Sequence, residues 1–236
     1  MPRRRHTLPQ MSEAGKKDAG TNDTNPTHGA LICAAAGGRK ELISPEEFLR
    51  VELQSGISAD NPEFRALGRA TAAQMLGRGF RTVLDFGAGT GVYADAFHRA
   101  GFDVRAFEIW EAHRAYIRDK FPHVRLVEAP VTTDLMLFIE TAEHMTDVEL
   151  RALFSQIRPD YVLFSSTSAL TEWDAEWGHI NVKPQPEWVR FFESLGYVSA
   201  GELAAPTPWS RLFRRKQAPL RLRMLERWRR WFPVKK

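Results

Sequence analysis

Residues 83–91 read Val-Leu-Asp-Phe-Gly-Ala-Gly-Thr-Gly, an apolar run that ends in an acid and runs into three glycines at alternate positions. A short apolar run bounded by glycine is a buried strand, and glycines at its exit let the chain turn sharply and let a ligand approach the backbone. Apolar residues then recur at helical spacing from Val92 to Ala100. A strand, a glycine loop and a helix in that order open a βαβ unit, whose crossover brings the next strand in parallel. Loops that cradle a pyrophosphate read G-x-G-x-x-G and offer it the amides of a helix N-terminus. Here the spacing is G-x-G-x-G with Asp85 in front of it. A carboxylate at that point disfavours a phosphate and suits a cationic ligand.

The alternation continues along the chain. Expected strands are Thr82 to Phe86, Val104 to Phe107, Val124 to Val127, Leu135 to Ile139 and Tyr161 to Phe164. Helical patterns at Val92 to Ala100, Ala112 to Lys120, Asp147 to Gln156 and Pro186 to Leu195 separate or follow them. Tyr197 to Leu203 and Ser210 to Phe213 close the set as an antiparallel pair. This predicts an α/β fold, a doubly wound, Rossmann-like and mostly parallel seven-stranded sheet with helices on both faces. Two helices precede it. Ser44-Pro45-Glu46-Glu47 has the hydroxyl, proline and reciprocal glutamate of a helix start, with a helix expected through Val51, and Asn61-Pro62-Glu63 repeats the signal ahead of a run that Gly77 and Gly79 end.

The net charge of +4 is unevenly spread. Residues 1–40 hold seven Lys and Arg against three Asp and Glu, residues 41–210 hold 15 against 25, and residues 211–236 hold 11 against one. The expected globular part is acidic and would repel a polyanion, so nucleic acid could be met only by the ends. Residues 1–40 lack sustained apolar periodicity and are expected to be a disordered tail; residues 41–216 form the domain, and residues 217–236 a basic amphipathic helix. In that last segment Leu220, Met224, Leu225, Trp228, Trp231 and Phe232 interleave with arginines. Such a helix lies on an anionic membrane surface, binds RNA, or folds back on the acidic body. The lone cysteine, Cys33, excludes a disulfide framework and a cysteine-ligated zinc site, and no metal is expected. No run approaches the ~18 apolar residues of a membrane span, and the first twenty residues lack a secretory apolar segment. A cytoplasmic protein is expected, with peripheral membrane contact through the C-terminal helix as an option.

The acid-x-G-x-G-x-G run resembles the first motif of the class I S-adenosylmethionine-dependent methyltransferases, in particular those acting on small molecules and sugars. Their ligand carries a sulfonium and an ammonium and no phosphate. The resemblance implies S-adenosyl-L-methionine as cofactor, held by Asp85, Gly87, Ala88, Gly89 and Gly91. It also implies that Glu108, ending the next strand, accepts both ribose hydroxyls. Ile109 and Trp110 follow, where packing on adenine and packing in the core are both open. Glu128 is the candidate for the adenine amino group. The run Glu140-Thr141-Ala142-Glu143-His144 resembles the E-x-x-E-H end of strand four in small-molecule members, which puts Glu140 at the methionine end of the cofactor. It lacks the N/D-P-P-Y/F run of enzymes that methylate DNA bases or protein glutamine, and Cys33 is badly placed as a base-C5 nucleophile, so DNA is not expected as a partner.

The segment after strand five, Glu172 to Pro184, should face the acceptor, because ligands of open α/β sheets bind beyond the carboxyl ends of the strands. Trp173 and Trp177 are candidate acceptor walls, and Asn181 would orient His179 or the substrate. His179 is the expected general base for a hydroxyl acceptor, with His144 its rival, since imidazole titrates near neutral pH. The expected function is O-methylation of a small polar acceptor, a sugar or natural-product intermediate or a glycan. Behind it stand an RNA methyltransferase using the basic tails and a protein that binds the cofactor without turnover.

Overall fold

A computed structural model describes residues 44–167 and 177–231, with side chains through Leu225. The expected tail, residues 1–40, and Trp173 lie outside the described residues. Helix α1 (Pro45–Gln54) and helix α2 (Pro62–Met75) both start as the sequence predicts. Ser44 Oγ accepts the Glu47 amide, Asn61 Oδ1 accepts the Glu63 amide, and each helix has proline in its first turn. Helix α1 runs on past Val51 to Gln54, where the Ser55 cap and Gly56 at positive φ end it.

Then come β1 (Thr82–Phe86), α3 (Val92–Arg99), β2 (Asp103–Phe107), α4 (Glu111–Lys120), β3 (Arg125–Val127) and β4 (Leu135–Ile139). A single 3-10 turn, Ala142–His144, and α5 (Asp147–Gln156) lead to β5 (Tyr161–Ser165). Helix α6 (Gln185–Ser194), β6 (Tyr197–Glu202), β7 (Arg211–Arg215) and α7 (Leu220–Trp231) complete the described chain. The strands form one sheet in the order β3-β2-β1-β4-β5-β7-β6. β1 to β5 pair in parallel, and β7 runs antiparallel between β5 and β6.

Period-two alternation along the central strands separates two cores. Val83, Leu135, Leu137, Tyr161 and Leu163 face one layer with Met75, Phe97 and Ile117. Leu84, Met136, Phe138, Val162 and Phe164 face the other, with Phe154, Trp188 and Phe192. The start of α7 joins the first layer: Leu222 is buried, and Arg221 pairs with Asp134 at 2.6 Å. Glycine is required at Gly79 beneath it, where a Cβ would stand 2.4 Å from Leu225 Cδ1. Among the described residues no helix is long and apolar enough to cross a membrane.

Candidate functional site

The strand order reverses between β1 and β4, and the carboxyl ends of both strands deliver polar residues to one edge of the sheet. β1 carries Asp85 there, 3% exposed, with Oδ2 lacking a hydrogen-bond partner among the described residues. Burial pushes its carboxyl up to about 7; the Ala94 amide opposes the rise and the charge of Glu108 adds to it.

The glycine loop is stitched to the end of β2. The Gly87 and Ala88 amides donate to the Phe107 carbonyl at 2.9 and 3.1 Å, and the Gly89 amide donates to Glu108 Oε2 at 2.9 Å. The Gly91 amide donates back to the Ala88 carbonyl at 2.8 Å. These four amides are engaged within the protein, which leaves the loop poorly equipped to cradle phosphate. The glycines differ in what demands them. A Cβ on Gly87 would meet Thr141 at 2.6 Å, and one on Gly91 would meet Ile117 at 2.8 Å. At Gly89 the nearest atom would be Glu52 Oε1 at 3.7 Å, so this position borders open ground.

Glu108 is buried, and its two oxygens accept the Gly89 and Trp110 amides. Burial raises its pKa, and the two amides and His113 limit the rise. It therefore clamps the loop, while each oxygen keeps acceptor capacity for a further donor. Ile109 is exposed beside it. Glu128, after β3, points its carboxylate to solvent and pairs with Arg114, whose guanidinium also donates to the Glu108 and Val127 carbonyls.

Helix α1 roofs this part of the site. Glu52 pairs with His113 Nε2 at 2.6 Å, and Phe48 sets its ring edge-on to Trp110 at 4.9 Å and to Trp177 at 5.4 Å. Sequence reasoning passed over Phe48 and Glu52, because an amphipathic pattern identifies a helix without saying which distant element its inner face will meet.

Past β4 the chain turns sharply. Glu140 holds a positive φ of 47°, uncommon for a residue with a side chain, and its carboxylate accepts the Ser165 hydroxyl. Glu143 is fully buried with both carboxylate oxygens unpartnered among the described residues. Burial and the charge of Glu140 hold it well above the usual carboxylate range; Ser166 stands nearby without hydrogen-bonding geometry. His144 meets His179 edge-on with ring centroids 4.7 Å apart. Burial, with His179 next to it, pulls His144 down to about 3, against the bond to the Gly178 backbone. The structure thus brings the two predicted histidines together and adds Glu143, which the E-x-x-E-H run contained.

The segment bearing His179 is fixed by Glu143 itself, whose carbonyl accepts the Ile180 and Asn181 amides at 2.8 and 2.9 Å. Asn181 donates from Nδ2 to the Met145 carbonyl and to Asp147 Oδ1, and its Oδ1 accepts Lys183. Its amide braces the segment against the start of α5. The acceptor-wall candidate Trp177 lies half-buried against Phe48 of the roof.

One end of this edge offers a buried, half-paired carboxylate and a loop with four amides engaged within the protein, which fits a cationic ligand without phosphate. No curated protein matches the chain. Among solved structures, the fold is similar to DesVI of Streptomyces venezuelae, with TM-score 0.53 and 15% identity over 74% of this chain and 98% of that one. It is similar to CalS10, an amino pentose methyltransferase from Micromonospora echinaspora solved with S-adenosylmethionine bound. There the TM-score is 0.52 and the identity 16%, over 76% of this chain and 100% of that one. It is also similar to magnesium protoporphyrin IX methyltransferase from Synechocystis PCC 6803, with TM-score 0.52 and 14% identity over 80% and 94%. Residues 54–231 match the methyltransferase domain family. Because that match spans more than half of its length, the chain belongs to the methyltransferase domain family, as a class I enzyme with S-adenosylmethionine as its cofactor.

Proposed function

We propose that the protein methylates a hydroxyl of a small polar acceptor, a sugar or natural-product intermediate free of phosphate. The observation that carries this reading is the group Glu143, His144 and His179 at the carboxyl ends of β4 and β5, beside the glycine loop. Imidazoles and carboxylates at that edge suit an acceptor whose proton must be removed, as a hydroxyl's must. Support comes also from CalS10, which is named as an amino pentose methyltransferase.

In this reading Asp85 receives the ammonium of the cofactor, Glu108 the ribose diol and Ile109 one face of the adenine. Glu128 stands nearest the adenine amino group, and Glu140 borders the methionine end. Bound there, S-adenosylmethionine supplies a methyl group already activated on its sulfonium. The protein's part is to hold the acceptor in line and keep water out. Phe48, Trp177 and Trp110 close the roof over that space. His179 accepts the hydroxyl proton, and His144, kept neutral by burial, orients it through their ring contact. Trp173 serves as a further acceptor wall.

The test is a panel of sugars and hydroxylated metabolites incubated with S-adenosylmethionine, with products located by mass spectrometry and NMR. A methyl ether is expected, with turnover falling about 100-fold or more in His179→Ala. Methyl groups found on nitrogen or carbon, or a His179→Ala enzyme of full activity, would overturn the reading.

A further inference from the structure

Glu143 and His144 sit on the 3-10 turn after β4, and His179 comes in from the segment after β5. One ligating atom from each lies within 4.8 Å of the others, little more than twice a ~2.1 Å metal–ligand bond. We propose that Glu143, His144 and His179 bind a divalent cation, and that the acceptor hydroxyl joins its coordination sphere.

Three features of the fold point the same way. Glu143 is fully buried, yet neither of its oxygens has a hydrogen-bond partner among the described residues. A carboxylate removed from water without compensation is costly, and a cation at this point would supply what it lacks. Next, the Glu140 carboxyl adjoins that of Glu143 and accepts the neutral Ser165 hydroxyl. Two neighbouring carboxyls in that position either share a proton or share a cation. Finally, the carriers of the ligands are stapled together before any ion arrives. The Glu143 carbonyl takes two amides from the segment bearing His179, and His144 bonds the backbone of Gly178 in the same segment. A hydrogen bond from one imidazole nitrogen to backbone fixes the tautomer and leaves the other nitrogen as a ligand.

Two imidazoles and a carboxylate suit first-row divalent ions with positions left open for substrate. A cation there would polarise a bound hydroxyl and fix its direction; the two imidazoles would then serve as ligands in place of the base role given to His179 above, and the hydroxyl proton would pass to solvent water. The acceptor's part in this rests on the hydroxyl-methylation reading above; the cation's part does not.

Untagged full-length protein, stripped with EDTA and free of cofactor and acceptor, is titrated with Mn²⁺ followed by electron paramagnetic resonance and with Co²⁺ followed by visible absorption. About one equivalent should bind. His144→Ala, His179→Ala and Glu143→Gln should each weaken binding ~10-fold or more, while S-adenosylhomocysteine binding, read by calorimetry, shows that each variant is folded. His123→Ala is the control. His123 also adjoins a histidine and a carboxylate, His98 and Asp95, but Asp95 is already paired with Arg99, so binding should be unchanged. Absence of stoichiometric binding of both ions, or binding that survives the three substitutions, would overturn the proposal and leave a shared proton as the account of Glu140 and Glu143. Cation binding by a protein that methylates no hydroxyl would instead sink the acceptor reading and leave the metal site standing.

Discussion

At the scale of single residues, Asp85 shows how a binding site is bought with stability. Its carboxyl ordinarily titrates near 3.8 and here is held at about 7 by burial. Glu108 at the end of β2 faces it, and Tyr93 of α3 and Glu140 after β4 share its electrostatic environment. A raised carboxyl pKa means that the folded state keeps a proton which the unfolded chain has lost. Ligand-free stability should therefore fall as pH rises from about 4 to about 7 and level off above. Asp85→Asn should lessen that slope, to which Glu108 and Glu143 with their raised carboxyls also contribute, and raise the melting temperature above pH 7. The same change should weaken S-adenosylmethionine by about 2 kcal/mol, on the order of thirtyfold, because it removes a charge-assisted contact. Calorimetry of the wild type in buffers of different ionisation enthalpy should show proton release on binding below pH 7; uptake would contradict the assignment. The glycines offer a second separation. Gly89→Ala, at φ 52° with open ground beyond, should cost about 1–2 kcal/mol of stability and a larger share of cofactor affinity. Gly91→Ala, driven into Ile117, should lower the melting temperature far more, read by thermal unfolding of both variants. Asp85, the glycines and Glu108 were legible in the sequence because a strand, its exit loop and the next strand's end are local patterns. Glu52 and Phe48 were not, since only packing brings α1 over the loop.

Among the elements, α1 is lightly held. It contains no fully buried residue and is held by the rings around Phe48 and by Glu52 on His113. Such an element opens without breaking either core. Amides of α1 should exchange hydrogen faster than those of β1 or β4, and S-adenosylhomocysteine should slow them. Phe48→Ala should leave the melting temperature within a few degrees while weakening the cofactor severalfold, measured by calorimetry. A large loss of stability would show that α1 is part of the core. Strand order and direction could be read from the alternation of strand and helix, since short crossovers leave few topologies. One element escaped that reading: the 3-10 turn Ala142–His144 is too short for any period to reveal it. The last strand, β7, runs to Arg215, where Arg215 pairs with Asp160 and stays in register with Tyr197.

Across the whole molecule, the basic C-terminal stretch is partly spent on the acidic body. Arg221 reaches Asp134, and Leu222 enters the core beside Met75 and Phe80. Leu222→Ala should cost about 2–4 kcal/mol, read as denaturant midpoint, whereas Arg221→Ala should cost about 1 kcal/mol or less because its side chain is half exposed. Equal effects would mean that charge and not burial holds α7. Membrane or RNA contact by the rest of that segment, from Glu226 on, is a separate proposal that liposome and RNA binding at two salt concentrations would test. The engaged amides of Gly87, Ala88, Gly89 and Gly91 have a consequence at this scale too. Adenosine is a common handle among metabolites, and most molecules that carry it end in phosphates. A body with more acids than bases slows their approach, four of the loop's amides are already engaged within the protein, and Asp85 and Glu108 oppose their charge at contact. Discrimination at this site is therefore expected to work by turning the common adenylates away, which lets a scarcer relative be found among them.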